Sequence, residues 1–373
     1  MKKCLVFAGV LGLAAVAHAQ GSVTLYGVID TGFNYVNNDG GKSSASLTSC
    51  GIQCSAWGLK GSEDLGGGLK AVFKLENGFD ATTGALQQGG REFGRQAWVG
   101  LSDSKFGTIR LGRQYDFMFD YLQPLGSVWD TGQAHPFDND NVDDFTRFSN
   151  VVKYISNDYA GFEFGGMYGF SNQPSSGGGT GFGNNRAWSA GVKYQNGPVN
   201  LAATYLHMNN PGINSTGSAT GYGFVGLPTP YGTVNSVSRH DTFGIAGTYA
   251  IGNGRVGLMY THTNLTASVV SSTDKIKFDN FELTGNYYIT PALLVSGSYM
   301  FTMSSDDNTG RKPKYSQVQA GVDYFLSKRT DLYVYGVYQR VNADAGSAWV
   351  FTWNNPSTTR SQVLARAAIR HTF

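Results

Sequence analysis

In Ser22-Val23-Thr24-Leu25-Tyr26-Gly27-Val28-Ile29-Asp30-Thr31-Gly32-Phe33-Asn34-Tyr35, polarity alternates along the chain. Val23, Leu25, Gly27, Ile29, Thr31, Phe33 and Tyr35 form one largely apolar face, and Ser22, Thr24, Tyr26, Val28, Asp30 and Asn34 form the other. A period of two belongs to a β-strand with unlike surroundings on its two sides. The pattern returns where Leu69, Ala71, Phe73 and Leu75 alternate with Lys70, Val72, Lys74 and Glu76. It returns again where Leu332, Val334, Gly336 and Tyr338 alternate with Tyr333, Tyr335, Val337 and Gln339. No stretch has a convincing helical period, and the chain reads as all-β.

The connections alternate in length. Tight turns rich in Gly, Pro, Asn or Asp fall at 64–68, 103–107, 158–161, 196–198, 252–254, 290–292 and 327–330. Long links fall at 37–54, 80–92, 114–146, 172–185, 208–238, 264–277, 304–314 and 342–359. Seven short and eight long connections join sixteen strands. With strands of ~10 residues and turns of ~4, the long links average ~20 residues. An even strand number, short turns on one rim and long loops on the other predict a 16-stranded antiparallel transmembrane β-barrel with long external loops. Hydrocarbon offers backbone amides no water, so strands cross it only when the ladder closes on itself. A soluble sandwich would also alternate, but nothing in it requires short and long connections to take turns. Aromatics at strand ends, among them Trp57, Phe93, Trp98, Tyr154, Tyr168, Tyr249, Tyr287, Tyr288, Tyr299 and Tyr324, suit girdles at the two membrane interfaces.

Of 373 residues only 14% are charged and 51 are Gly, which excludes a highly charged disordered chain. Lys2 and Lys3, the apolar run at 5–16 and Ala17-His18-Ala19 form a cleavable signal peptide over 1–19, leaving 20–373 as one barrel domain exported to the outer membrane of a Gram-negative bacterium. Without residues 1–19 the chain carries 26 basic and 26 acidic residues, a balance that gives no reason to expect nucleic acid. Cys50 and Cys54, in Cys50-Gly51-Ile52-Gln53-Cys54, favour a small disulfide loop in an oxidising compartment. No second Cys or His pair stands beside them with zinc-ligand spacing, and no metal or other cofactor is expected.

Strand parity sorts the charges. If Trp57, Leu59, Leu69, Ala71, Phe73 and Leu75 face lipid, then Ala56, Gly58, Lys60, Lys70, Lys74 and Glu76 face the lumen. The same logic puts Arg147, Ser149, Val151 and Lys153 inside and Phe148, Val152 and Tyr154 outside. The longest link holds Asp116, Asp120, Asp130, Asp138, Asp140, Asp143 and Asp144 with no Lys or Arg before Arg147. Folded inward, it would set these carboxylates, with Glu76, against wall cations Lys60, Lys74, Arg95, Arg113 and Arg147. Such a transverse field orients dipolar solutes and biases which ion passes. The run from Asp138 to Asp144 offers oxygen ligands for a divalent cation but lacks the Gly and Glu of an EF-hand loop.

The motifs Gly21-Ser22-Val23-Thr24-Leu25-Tyr26-Gly27, Trp57-Gly58-Leu59-Lys60-Gly61-Ser62-Glu63-Asp64-Leu65-Gly66, Gly94-Arg95-Gln96-Ala97-Trp98-Val99-Gly100-Leu101 and Leu111-Gly112-Arg113-Gln114-Tyr115 resemble the general porins of Gram-negative beta-proteobacteria, the neisserial type included. The ending Ile369-Arg370-His371-Thr372-Phe373 resembles the signal that the outer-membrane insertion machinery reads at a terminal Phe. The resemblance implies a homotrimer of water-filled pores, the third external loop folded into each lumen, and constriction cations at Arg95 and Arg147 with Arg113 adjacent. It also implies contact with the bilayer and its lipopolysaccharide, and passive diffusion of small hydrophilic solutes and ions. One departure stands out: the family commonly reads Ser-Arg where this chain has Ser55-Ala56, so one cation is missing. Lys74 stands where Gln is expected and is its electrostatic substitute, without a guanidinium's fork.

Catalysis finds no support. The Gly-rich run at 177–183 precedes no helix that could present a dipole to phosphate, and no spacing pairs a Ser with His207, His240 or His262 on the lipid face. A substrate-selective channel and a surface adhesin or receptor barrel remain the alternatives to a general pore.

Overall fold

The structure is a computed structural model that describes residues 21–143, 145–174, 181–269, 272–351 and 354–373. The signal-peptide segment 1–19, Asp144 and most of the 177–183 run lie outside the described residues. Among the described residues, sixteen antiparallel strands close into a barrel. They are β1 (Ser22–Asp39), β2 in two segments (Lys42–Ser49 and Ala56–Gly66), β3 (Leu69–Gly78), β4 (Gln96–Asp103), β5 (Gly107–Gln114), β6 (Phe148–Ile155), β7 (Phe162–Gly169) and β8 (Arg186–Asn196). The second half comprises β9 (Val199–Asn209), β10 (Gly232–Ile251), β11 (Gly254–Val269), β12 (Ser272–Thr290), β13 (Leu293–Asp306), β14 (Lys314–Phe325), β15 (Thr330–Val341) and β16 (Ser361–Thr372). A two-residue strand, Pro228–Thr229, pairs with the start of β10 outside this ring.

Closure comes from β1 and β16, paired from Val28↔Thr372 to Val36↔Leu364. Phe373 completes the seam: its N–H donates to Gly27 O at 3.0 Å, its carbonyl accepts from Gly27 N–H at 3.1 Å, and its ring lies where a side chain at Gly27 would stand.

Parity holds around the wall. Phe33, Val23 and Leu258 are 70%, 66% and 65% exposed on the outside, while Thr204, Thr261, Asn280, Gln319 and Gln339 are buried on the inside. Such an exposed apolar band is what lipid requires.

The expected pattern fails at four places. The link placed at 37–54 is a tight turn at Gly40 and Gly41, after which β2 climbs back to Ser49, leaves its ladder over 50–55 and resumes at Ala56. The link at 264–277 is mostly strand, because β11 and β12 pair out to Val269↔Ser272. Phe148, assigned to the lipid side, is fully buried inside. The register slips between Gly112 and Gln114 on the β5 side, and Asn150 adopts φ 58°, which breaks the alternation. Trp98, assigned to a girdle, alternates with exposed Val99 and Leu101 and so faces the lumen, where the Arg110 guanidinium lies 4.5 Å from its ring centre.

At the seam, Arg366 of β16 is fully buried and its donors are engaged. Nε donates to the Tyr333 hydroxyl at 2.9 Å, one terminal nitrogen to Asn34 Oδ1 and Thr48 Oγ1 at 2.9 and 2.7 Å, and the other to Asp30 Oδ1 at 3.1 Å. Four strands thus meet on one guanidinium. We expect Arg366→Met to leave Asp30 charged and unpaired, a cost of about 3–5 kcal/mol. Urea titration in detergent, following the heat-modifiable gel mobility of the folded barrel, should show the midpoint fall; an unchanged midpoint would remove the pair from the seam's stability.

Candidate functional site

The loop between β5 and β6, residues 115–147, folds into the barrel as three short helical turns and one four-residue helix, Val128–Thr131, all too short to show a helical period in the sequence. Its apolar residues seat it: Phe117, Met118 and Leu122 are fully buried. Glycines on the inner wall make the room, since side chains at Gly165 and Gly191 would run into Phe117, and one at Gly244 into Leu122. Burying each such side chain is worth about 1.5–3 kcal/mol.

Polar bonds then fix its height. Lys153 Nζ on β6 donates to Tyr115 O at 2.8 Å and pairs with Asp120 at 2.6 Å. Ser127 N–H donates to Glu282 Oε1 of β12 at 2.6 Å, and the Thr131 hydroxyl to Gln319 Oε1 of β14 at 2.9 Å. Asp130 meets Arg255 of β11 at 3.2 Å and Asn286 of β12 at 3.0 Å. His135 lies between Asp140, at 2.7 Å, and Glu282, at 3.3 Å, while Asn280 Nδ2 donates to Asn139 Oδ1 at 2.9 Å.

Most of the loop's acids are therefore anchors. Asp116 accepts from Asn141 Nδ2 at 3.3 Å and lies fully buried; Asp120, Asp130 and Asp140 hold wall or loop cations. The two Asp138 oxygens accept the N–H groups of Asp143 and Phe145 at 2.9 and 2.8 Å. What remains open is a cavity of about 410 Å³. One side is formed by Phe119, Gln123, Val128, Gly132, Asp138, Asp143 and Phe145 of the loop, the other by Arg95, Arg147 and the β2 excursion at Gly51, Ile52, Gln53 and Cys54. Phe351, from the loop between β15 and β16, joins the lining and packs edge-on against Phe145 at 5.3 Å.

The basic wall is a braced cluster. Arg95 and Arg147 stand over the Tyr115 ring at 5.9 and 5.6 Å, and Arg113 donates to Gly94 O at 2.7 Å and Ser149 Oγ at 2.8 Å, which ties the loop leading into β4 to β6. Glu76, grouped by sequence with the opposing acids, sits instead among the cations: it is buried, pairs with Arg95 at 2.8 Å and Lys74 at 3.0 Å, and accepts from the Tyr26 hydroxyl at 2.8 Å. A single carboxylate there offsets two cations at close range. Lys60 and Lys74 flank the Tyr26 ring, each 5.3 Å from its centre, away from the 410 Å³ cavity. Ala56, in the place of the missing cation, is buried at the neck of the excursion. Cys50 and Cys54 are joined, with Cα atoms 3.9 Å apart.

Among the described acids of the loop, Asp138 and Asp143 line the cavity, while sequence reading missed the excursion as part of the lining. It also missed a repeat: Tyr205-Leu206-His207-Met208-Asn209 and Tyr260-Thr261-His262-Thr263-Asn264 share one pattern, each with Asp241 or Asp279 directly across the ladder. His207 and His262 face outward and bond those carboxylates at 2.7 and 2.8 Å, joined by the Tyr205 and Tyr260 hydroxyls.

A family model described as Gram-negative porin matches residues 5–346. The chain belongs to the Gram-negative porins. It is 32% identical to an outer membrane porin of Bordetella pertussis over 91% of this chain and 94% of that one, and 29% identical to a major outer membrane protein P.IB of Neisseria meningitidis over 90% and 92%. Among solved structures it is similar to the anion-selective porin from Comamonas acidovorans, at 25% identity and a TM-score of 0.75, covering 95% of this chain and all of that one. It also shares its fold with the trimer form of OmpT from Vibrio cholerae, at 16% identity and a TM-score of 0.67 over 95% and 99% of the two chains. This porin is a passive, water-filled channel of the outer membrane for small hydrophilic solutes and ions, not an enzyme.

Two titrations govern how firmly this porin holds its inner loop. Burial pulls the His135 imidazole down, but the Asp140 charge and the hydrogen bonds of Asp140 and Glu282 outweigh it and push it up to about 10. Burial pushes Asp140 up in turn, yet the His135 cation brings it below the ordinary carboxylate value. A raised imidazole stabilises the fold fully below its unfolded value of about 6.5 and loses that contribution as pH rises through the folded value. Burial likewise pushes Asp116 up to about 7, so the contribution of its protonated form is lost between the ordinary carboxylate value and about pH 7, before the His135 titration begins to tell. We expect the open-channel current to stay quiet at neutral pH and turn noisy above about pH 10, and His135→Gln to be noisy already at neutral pH. Bilayer recordings across that range check it; equal noise at all pH values would show that the pair does not hold the loop.

Proposed function

We propose that the 410 Å³ cavity is the narrowest point of the channel and gives it a modest preference for anions. The observation that carries this reading is the uneven use of charge on the two sides. Arg95 and Arg147 line the cavity, while Asp120, Asp130 and Asp140 of the facing loop are engaged with cations behind it. Both Asp138 oxygens are taken up by the Asp143 and Phe145 N–H groups, and burial, with Asp143 and Asp140 close by, pushes its carboxyl well above the usual carboxylate range. Among the described residues that line the cavity, Arg95 and Arg147 then stand against Asp143. The similarity to an anion-selective porin agrees with that sign.

The same reading assigns the remaining parts. Lys60 lines a wider reach of the lumen, and Arg113 positions its neighbours. Residues 1–19 direct export and are removed, leaving 20–373. Phe373 presents the C-terminal strand to the insertion machinery. Three copies assemble, as in the OmpT trimer form, and the aromatic and apolar outer wall meets lipid, with lipopolysaccharide at the outer rim.

Reversal potentials in a KCl gradient test it. Arg147→Ala should lower the anion-to-cation permeability ratio about two- to threefold, and Asp143→Asn should raise it. Both effects should shrink in ~1 M salt, where the Debye length falls to ~3 Å. Equal ratios in Arg147→Ala and the parent would take Arg147 out of the selecting field. Block by one solute at micromolar concentration would instead favour a substrate-selective channel.

A further inference from the structure

The β2 strand interrupts its ladder. Thr31 pairs with Ser49 and Val28 with Ala56, so the six residues 50–55 stand opposite Ile29 and Asp30 alone. Bonds tie the neck of this excursion. Cys50 N–H donates to Asp30 O at 3.1 Å, Asp30 N–H donates to Ser55 Oγ at 3.0 Å, and the Ser49 and Ser55 hydroxyls meet at 2.8 Å. The Cys50–Cys54 disulfide closes the tip into a small ring.

The ring rests on the buried seam. Ile52 N–H donates to the Tyr333 hydroxyl at 3.3 Å and Gln53 N–H to Asp30 Oδ2 at 3.1 Å. Gly51 has no space for a side chain, which would collide with Tyr333 and Arg366. The other side of the ring faces the lumen, where Gly51, Ile52, Gln53 and Cys54 line the cavity across from Val128 and Asp138 of the inner loop. The two structures touch: Gly132, at φ 72°, lies so close to Gly51 O that a side chain there would strike it. The opening is thus bounded by two inward projections that meet at Gly51 and Gly132.

We propose that the disulfide-closed excursion is a second jaw of the constriction, and that Gln53 at its tip, held out by the Cys50–Cys54 bond, sets the pore's cross-section and its size cut-off for hydrophilic solutes. The inference rests on the channel reading above and adds a size-selecting element to it. A six-residue excursion, four residues longer than the ladder needs, has many conformations to lose on ordering. A cross-link at its base removes most of the open ones, so the tip keeps one position against the solute stream. Cutting the bond releases the tip from that one position in the lumen and widens the opening.

Single-channel recording with polyethylene glycols of graded size tests this. Gln53→Trp should lower conductance about 1.5-fold and lower the polymer cut-off, and Gln53→Gly should raise both. The double variant Cys50→Ser, Cys54→Ser should raise conductance by a similar factor. Tris(2-carboxyethyl)phosphine added to inserted parent channels should do the same without any folding step: the disulfide takes two electrons and two protons to become two thiols, and the phosphine becomes its oxide with an oxygen from water. The reductant should leave the double variant unchanged. Conductance and cut-off that stay the same in Gln53→Trp, Gln53→Gly and reduced parent would overturn the proposal. A parent that gives no step conductance at all would sink the channel reading itself.

Discussion

Everything in this molecule follows from the need to leave no backbone amide unpaired in hydrocarbon. Because lipid offers no competing hydrogen bond, β1 must find β16 across nearly the whole chain, and it does so over the run from Val28↔Thr372 to Val36↔Leu364. The seam carries the barrel's fully buried Arg366–Asp30 pair. A buried ion pair is weak evidence for stability, since desolvation offsets its attraction. Its position says more: one guanidinium reaches Asp30 and Asn34 of β1, Thr48 of β2 and Tyr333 of β15 from β16, and so sets four strands in register.

Once the ring is closed, the wet inner wall becomes the place where polar groups cost least, and the inner loop uses that wall as its partner. The loop's acids serve mainly as attachment points. Asp120, Asp130 and Asp140 each lie within 3.2 Å of a basic side chain that is not across the cavity. The charge met by a passing ion is what remains after attachment, which differs from the sum of the loop's charges. The basic side of the opening depends less on such attachment because it grows from or beside strands already held by the ladder, and aromatic Tyr115 sets the spacing of Arg95 and Arg147. A second projection, the disulfide ring on β2, uses the same economy: it stands on the seam's buried cluster rather than on new structure.

The alternation that begins at Ser22, the seven tight turns and the long links between them were enough to predict sixteen strands, which side of several meets lipid, and a channel. That reading fails where local geometry breaks the period, as at Asn150, where a left-handed residue turns Phe148 inward. It also fails where a strand outruns the membrane, as β11 and β12 do. The Tyr-x-His-x-Asn repeat was present in the letters, but its meaning needed Asp241 and Asp279, which only strand pairing sets beside it.

By itself, then, the sequence determined the barrel, its strand number, its greasy outside and the family, because side-chain period and turn chemistry are properties of a few neighbouring residues. Tertiary structure alone decided which charges face the opening. Glu76 joined the cations, Asp138 and Asp143 reached the cavity, and residues 51–54 became part of its rim. Those outcomes depend on partners such as Arg366 for Asp30, 336 positions apart, and no local pattern records which distant side chain will arrive to satisfy a buried charge.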